Sequence, residues 1–531
     1  MAMTQRPPVT KTADGGRYFE HEFEKFYLKA YIPANDLDGQ TNNYGFRAPL
    51  LLVFEENRQT MEQAISFAWT TGLADIAASA DSSVLFVYPT NEGGWDNATE
   101  ELYASLISEI KINPDYSDGL IEIHNFFTGE YGGCFVRGAI FRADIYSFGK
   151  SADYVAKNLL KTLHGEYLWG PGEITPAMCS MQGLSVTPNV ERRDIAILSV
   201  GNSDEINSAF KDCENLLIKS KADYKADFKA FVRKFKMWCG QIQIEPDFEA
   251  LDMTEESGIA VVKTSPDNRM IKDMPEHKVG YFAYYNNDTF ANGPAPLVIG
   301  FHGHGDSSMF LTFVSGWWEV AHKYGFLFVS LENHQFVPAE EVIQVIEHLK
   351  QRYNIDEKRI YGTGFSMGSG KTWNMFEQYP EVFAGLMPAS ALFPIRGSGF
   401  GAPNPDKLNT TVSVPMFYSG GECSHLSELA CQSEGALERI KYLAEVNKIA
   451  KKFKYSYDEK DSWEDPVWSV PGDRVEKLYD ESRDSYLTIH YYNSEDGVCR
   501  TALASISGQG HEFRHHTCEN AWKFISQFVK E

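Results

Sequence analysis

Three features of the sequence predict an α/β protein of two domains. The chain has 531 residues, and hydrophobic cores stop growing at about 250–300 residues, beyond which chains divide. Short apolar, β-branched runs such as PLVIGF (296–301) and FLFVSL (326–331) alternate with stretches of helical spacing, the pattern of a mostly parallel sheet flanked by helices. The same order of runs occurs twice, which places one domain at residues 1–240 and a second at 241–531.

The elements follow in order. In the first half FYLKAYI, APLLLVF, SSVLFVYP, RADIYSF and DIAILSV read as strands, being rich in β-branched and aromatic residues and bounded by Gly, Asn, Asp or Pro. The basic stretch DFKAFVRKFKMW (227–238) reads as a helix beside the linker, and QIQIEPDFEALDMTEESGIAVV as an added hairpin. In the second half GYFAYYN, PLVIGF, FLFVSL, KRIYGTGF and SVPMFYSGG repeat the strand series. After KRIYGTGF, the segment SGKTWNMFEQYP has helical spacing and stops at Pro380. The region 458–484, with Trp463, Pro466, Trp468 and Pro471, is unsuited to a long helix and is a place where an insertion could wall a pocket.

Composition excludes some partners. A net charge of −24 disfavours nucleic acid, whose phosphates need concentrated Lys and Arg. The eight cysteines are scattered without a C-x-x-C pair, so free thiols are expected, with no metal site. No run of about 18 apolar residues suggests a membrane span, and MAMTQRPPVTKTADGG lacks the apolar core of a leader. A cytoplasmic location is expected, or a secreted one had a leader been removed; the oligomeric state is not legible.

The stretch IYGTGFSMGSGKTW (360–373) carries two competing motifs. GSGKT has the tail of a phosphate-binding loop, but G-x-x-x-x-G-K-[ST] needs glycine where Phe365 stands, at a point where the backbone must curl. GFSMG fits G-x-S-x-G, a strand–turn–helix elbow that exposes a serine, and the flanking segments supply that strand and helix. A serine hydroxyl is a weak nucleophile and needs a histidine base, an acid to orient it, and donors for the oxyanion. Ser366 is therefore the expected nucleophile. His511, after a strand and the glycine-rich turn SISGQG, is the expected base, with His515 and His516 as competitors at the next helix start. Glu422, the first carboxylate past SVPMFYSGG, is the expected acid, with Glu428 as the alternative. Oxyanion donors are expected from the turn His302-Gly303-His304-Gly305 and from the N–H of Met367. Trp317 and Trp318 are candidates for an aromatic pocket wall, or else core.

With PLVIGFHGHGDS, YNIDEKRIYGTGFSMGSGKTW…YPEVFAGLMPAS and GQGHEF…ENAWKFISQF in view, Pro296–Phe528 resembles the polyhydroxybutyrate depolymerase and feruloyl esterase-like branch of the α/β-hydrolases. The resemblance implies a serine carboxylic-ester hydrolase acting through an acyl-enzyme, without metal or organic cofactor, on small, feruloyl-like or hydroxyalkanoate esters. Two residues depart from that branch: Ser369 stands where glycine is common, and the acid loop offers Glu in place of Asp.

The first half, laid beside the second, reads as a degenerate, inert copy. Anchoring Ile145-Tyr146 on Ile360-Tyr361 sets Ser151 opposite Ser366, and Glu55-Glu56-Asn57-Arg58 replaces the H-G-x-G turn. Asn202 falls opposite Glu422, and no histidine occurs between His164 and His277. This half is expected to pack against the active one and shape access to Ser366.

Overall fold

The computed structural model describes residues 10–34, 49–79, 82–110, 138–167, 170–231, 234–236, 242–244, 246–268, 274–304, 308–332, 334, 337–393, 408–481 and 483–530. The chain forms two compact units, Met1–Pro246 and Asp247–Glu531.

In the first unit a nine-stranded sheet is built from β1 (Thr10–Lys11), β2 (Arg17–Glu22), β3 (Phe26–Ile32), β4 (Pro49–Phe54), β5 (Val84–Pro89), β6 (Ala139–Phe148), β7 (Met178–Gln182), β8 (Ala196–Val200) and β9 (Leu216–Lys219). Their spatial order is β1-β2-β3-β5-β4-β6-β7-β8-β9. β5, β4, β6, β7, β8 and β9 run parallel, and β3 joins β5 antiparallel. β4 shows why its sequence is a continuous apolar run. Leu50, Leu52 and Phe54 enter the core on one face, and Leu51 and Val53 enter the core on the other, so both faces are covered. Helix α1 (Met61–Thr71) follows β4, opened by a Thr60–Gln63 capping box, and α2 (Lys150–Asn158) follows β6.

The second unit repeats the plan. Its strands are β10 (Met253–Lys263), β11 (Glu276–Asn286), β12 (Ala295–Phe301), β13 (Leu327–Leu331), β14 (Ile355–Phe365), β15 (Gly385–Ala389), β16 (Met416–Gly421), β17 (Arg474–Asp480), β18 (Ser485–Asn493) and β19 (Cys499–Ile506). They lie in the order β10-β11-β13-β12-β14-β15-β16-β19-β18-β17. From β13 to β19 the sheet is parallel, and β10, β11, β18 and β17 are antiparallel additions at its two edges. Helices α3 (Trp317–Tyr324), α4 (Ala339–Arg352), α5 (Met367–Gln378), α6 (Glu434–Val446) and α7 (His515–Ile525) flank it. Two mostly parallel sheets of one strand order, each with the reversal β5-β4-β6 or β13-β12-β14, are the fold the sequence predicts.

Some local expectations change. Of the basic stretch 227–238, the described residues up to Phe231 belong to the helix Tyr224–Phe231, and Lys234–Lys236 pairs as a strand with Ile242–Ile244. Trp463 and Trp468, considered as pocket wall, are buried; Trp468 packs edge-on to Tyr418 in the core.

Strand register aligns the two units more sharply than composition does. Phe54 pairs with Ser147 as Phe301 pairs with Gly364, and Phe148 pairs with Gln182 as Phe365 pairs with Ala389. Gly149, not Ser151, therefore stands at the position of Ser366. Backbone angles agree: Gly149 has φ 51°, ψ −119°, and Ser366 has φ 55°, ψ −114°. Ser151 matches Gly368 instead, and Asn202 matches Gly421. The anchoring of Ile145 on Ile360 was two residues out of step. A slip of two keeps every side chain on its own face, so the apolar pattern cannot detect it.

Candidate active site

Ser366 sits between β14 and α5 with a positive φ that a residue bearing a Cβ rarely adopts, a strain of about 1–3 kcal/mol. The surroundings hold it there: its N–H donates to Ala389 O at 3.0 Å, and its carbonyl accepts from Gly370 N–H at 3.2 Å in the first turn of α5. Two glycines make the turn sterically feasible. A Cβ on Gly364 would stand 2.2 Å from Gly368 O, and one on Gly368 would stand 1.9 Å from Phe301 O. Both contacts are with backbone, which cannot swing aside.

The imidazole of His511 lies in the loop between β19 and α7, against the ring of Phe365 at 4.8 Å. Its Nε2 is 2.8 Å from Ser366 Oγ and its Nδ1 is 2.5 Å from Glu428 Oε1. Glu428 is fully buried, and it is held on both oxygens. Gly421 N–H donates to Oε2 at 2.7 Å, and Ser424 Oγ donates to Oε1 at 2.6 Å. The carboxylate expected from Glu422 is thus provided at this place by Glu428. Glu422 is exposed at the end of β16 and accepts from Ser505 Oγ at 2.9 Å. The chain makes a further turn beyond β16 before Glu428 returns beneath the imidazole, a path that counting from the strand end does not reveal. Of the competing histidines, His515 faces Glu319 at 3.6 Å.

The turn after β12 is anchored from below. His302 is buried, its Nδ1–H donates to Gly303 O at 2.8 Å, and its own carbonyl accepts from His334 Nε2–H at 2.7 Å. The two rings meet edge to face at 4.5 Å. Burial pushes His302 down to about 4 and His334 well down from its ordinary value, so both are neutral near pH 7. Gly303 is buried and His304 exposed, while Gly305 lies outside the described residues. Met367 opens α5, with its N–H at the helix start.

The tryptophan wall is not supported at Trp317. That ring is fully buried and stacked on Phe328 at 5.8 Å, so no ligand can touch it. Trp318 is half-buried, edge-on to Phe248 at 5.9 Å. The phosphate-loop reading fails structurally as well. Lys371 lies inside α5, is buried, and donates to Val337 O at 2.5 Å; burial pushes it down to about 8. Sequence reasoning missed Ser424, Phe365 and His334, each of which touches this site only through the fold.

A hydroxyl, an imidazole and a buried carboxylate joined in this order can pass a proton from oxygen to nitrogen while the carboxylate holds the ring's orientation. Among the described residues no three His, Cys, Asp or Glu side chains cluster closely enough to hold a metal ion, and no helix is long and apolar enough to cross a membrane.

Strand order and serine elbow together define the α/β-hydrolase fold. No family model matches the chain. It is 27% identical over 136 residues to the bifunctional acetylxylan esterase/xylanase XynS20E of Neocallimastix patriciarum, a match covering 24% of this chain and 19% of that protein. It is 28% identical over 113 residues to poly(3-hydroxyalkanoate) depolymerase C of Paucimonas lemoignei, covering 18% of this chain and 27% of the other. The chain therefore spans less than a third of the length of either relative. Among solved structures, the acetyl xylan esterase from Aspergillus awamori is 15% identical with a TM-score of 0.33, over 51% of this chain and 99% of that one.

Proposed function

We propose that the second unit is a serine carboxylic-ester hydrolase with Ser366 as nucleophile, His511 as base and Glu428 as the orienting acid. The observation that carries this reading is the chain of contacts from Ser366 Oγ through His511 to buried Glu428, at 2.8 and 2.5 Å. In the first step Oγ bonds to the ester carbonyl carbon while its proton moves to His511 Nε2. The alkoxide is met by the N–H of Met367 and by an N–H of the His302–His304 turn, both fixed before substrate arrives. Collapse breaks the bond to the alkoxy oxygen, which leaves with the proton from Nε2. Water, deprotonated by the same imidazole, then cleaves the acyl-enzyme and releases the acid.

Of the two relatives, one is named an acetylxylan esterase and the other a poly(3-hydroxyalkanoate) depolymerase, which supports small acyl and hydroxyalkanoate esters as substrates. Aryl esters of the feruloyl kind are the third class in the proposal. A panel of p-nitrophenyl acetate, p-nitrophenyl butyrate, methyl 3-hydroxybutyrate and methyl ferulate tests it. At least one is expected to be hydrolysed, with kcat/KM reduced about 10⁴-fold or more in Ser366→Ala. Hydrolysis that survives Ser366→Ala unchanged would overturn the assignment.

The first unit is, in the same proposal, a hydrolase-like body without hydrolytic chemistry. What supports this is Gly149 at the elbow, and Glu56 packed against it so that a Cβ there would stand 2.0 Å from Glu56 Oε1. A serine at this position would also lack the base, since no histidine occurs between His164 and His277.

A further inference from the structure

The first unit contains an open cleft of about 1340 Å³ at the carboxyl ends of β4, β6 and β7, bounded by α1. In open α/β sheets ligands bind at this end, where strand order reverses. The reversal here is β5-β4-β6, and the elbow residue Gly149 lies in the cleft wall. The site has thus kept its place and its backbone while losing its nucleophile.

The lining narrows the chemistry of an occupant. Glu56, Gln63 and Gln182 are exposed side chains, offering carboxylate and amide groups. Phe67 and Phe148 are half-buried beside them and meet edge to face at 5.6 Å, so they present aromatic surface without forming a greasy pocket. The charge balance disfavours an anionic occupant. Among the described residues, Glu56 and Glu62 line the cleft with a single cation, Arg58, whose guanidinium lies 3.6 Å over the ring of Tyr27. Glu55 is itself neutralised by buried Lys29 at 2.6 Å. Most lining residues are polar, while apolar surface makes up a comparable share of the wall, so the cleft suits an occupant that carries both kinds of surface. The volume exceeds the roughly 300–1,000 Å³ of a drug-sized pocket.

We propose that this cleft is a binding site for a neutral oligosaccharide. Sugar rings offer C–H faces that pack on aromatic surface and hydroxyls that pair with amides and carboxylates, which are the two kinds of group placed side by side here. The inference does not depend on esterase activity in the second unit.

Titration calorimetry of the full chain tests it, using cellotetraose and xylotetraose as neutral probes, tetragalacturonate as an anionic one and spermine as a cationic one. At least one neutral tetrasaccharide is expected to bind. The double variant Glu56→Ala, Gln182→Ala should weaken that binding at least about tenfold with its thermal midpoint held within a few degrees, and Ser366→Ala should leave it unchanged. Binding of neither neutral sugar, binding that persists in the double variant, or binding of spermine alone would each overturn the proposal. Loss of ester hydrolysis in Ser366→Ala reads out the second unit separately, so the two claims can fail independently.

Discussion

A carboxylate is tolerated in a protein interior only when its oxygens are occupied, and Glu428 meets that condition through Gly421 N–H, Ser424 Oγ and His511 Nδ1. Glu428→Gln should therefore lower kcat by about 10³–10⁴-fold, because the amide no longer selects the productive imidazole tautomer. Glu422→Gln should change kcat less than about threefold, since that side chain meets Ser505 and solvent. Steady-state kinetics on p-nitrophenyl acetate checks both. Ser424→Ala removes one donor from Glu428 and should reduce kcat by roughly tenfold with KM nearly constant, the mark of an interaction strengthened in the transition state. At this scale Ser366 and His511 were legible because short local patterns surround them, a strand and helix about the serine and a glycine turn before the histidine. Glu428 was legible only as an alternative, since the loop's return is decided by hydrogen bonds to Gly421 that no spacing encodes.

Elements place these residues through contacts between backbones. Gly368→Ala should destabilise the second unit by about 3 kcal/mol, because its Cβ would meet Phe301 O at 1.9 Å. Gly370→Ala, whose Cβ would meet only the Phe393 ring at 3.2 Å, should be far milder. Urea unfolding of the two variants makes the comparison. The turn after β12 adds a pH dependence of known sign. His302 titrates near 4 in the fold and near about 6.5 when unfolded, so between those values the unfolded chain holds the extra proton. Its contribution is complete above pH 6.5 and is lost as pH falls toward 4, up to about 3 kcal/mol. The urea midpoint should fall between pH 7.5 and 5, and fall less in His302→Gln. Strand identity was readable here, from apolar runs covered on both faces; the two-residue slip in β6 was not, because alternation repeats every second residue.

In the whole molecule the proposed reactive serine is one residue of a chain that carries the same sheet order twice. The repeated order was visible in the sequence as a recurring series of strands. The difference between the two elbows became visible only once register set Gly149 and Glu56 where Ser366 and Gly303 stand in the second unit. Gly149→Ser should accordingly create no second reactive site, since no histidine between His164 and His277 is there to act as its base. The most direct measurement is covalent labelling of the full chain with a fluorophosphonate, read by intact mass and peptide mapping. One adduct per chain is expected, on the peptide containing Ser366, absent in Ser366→Ala and greatly slowed in His511→Ala. An unlabelled wild-type chain, or an adduct that persists in Ser366→Ala, would contradict it.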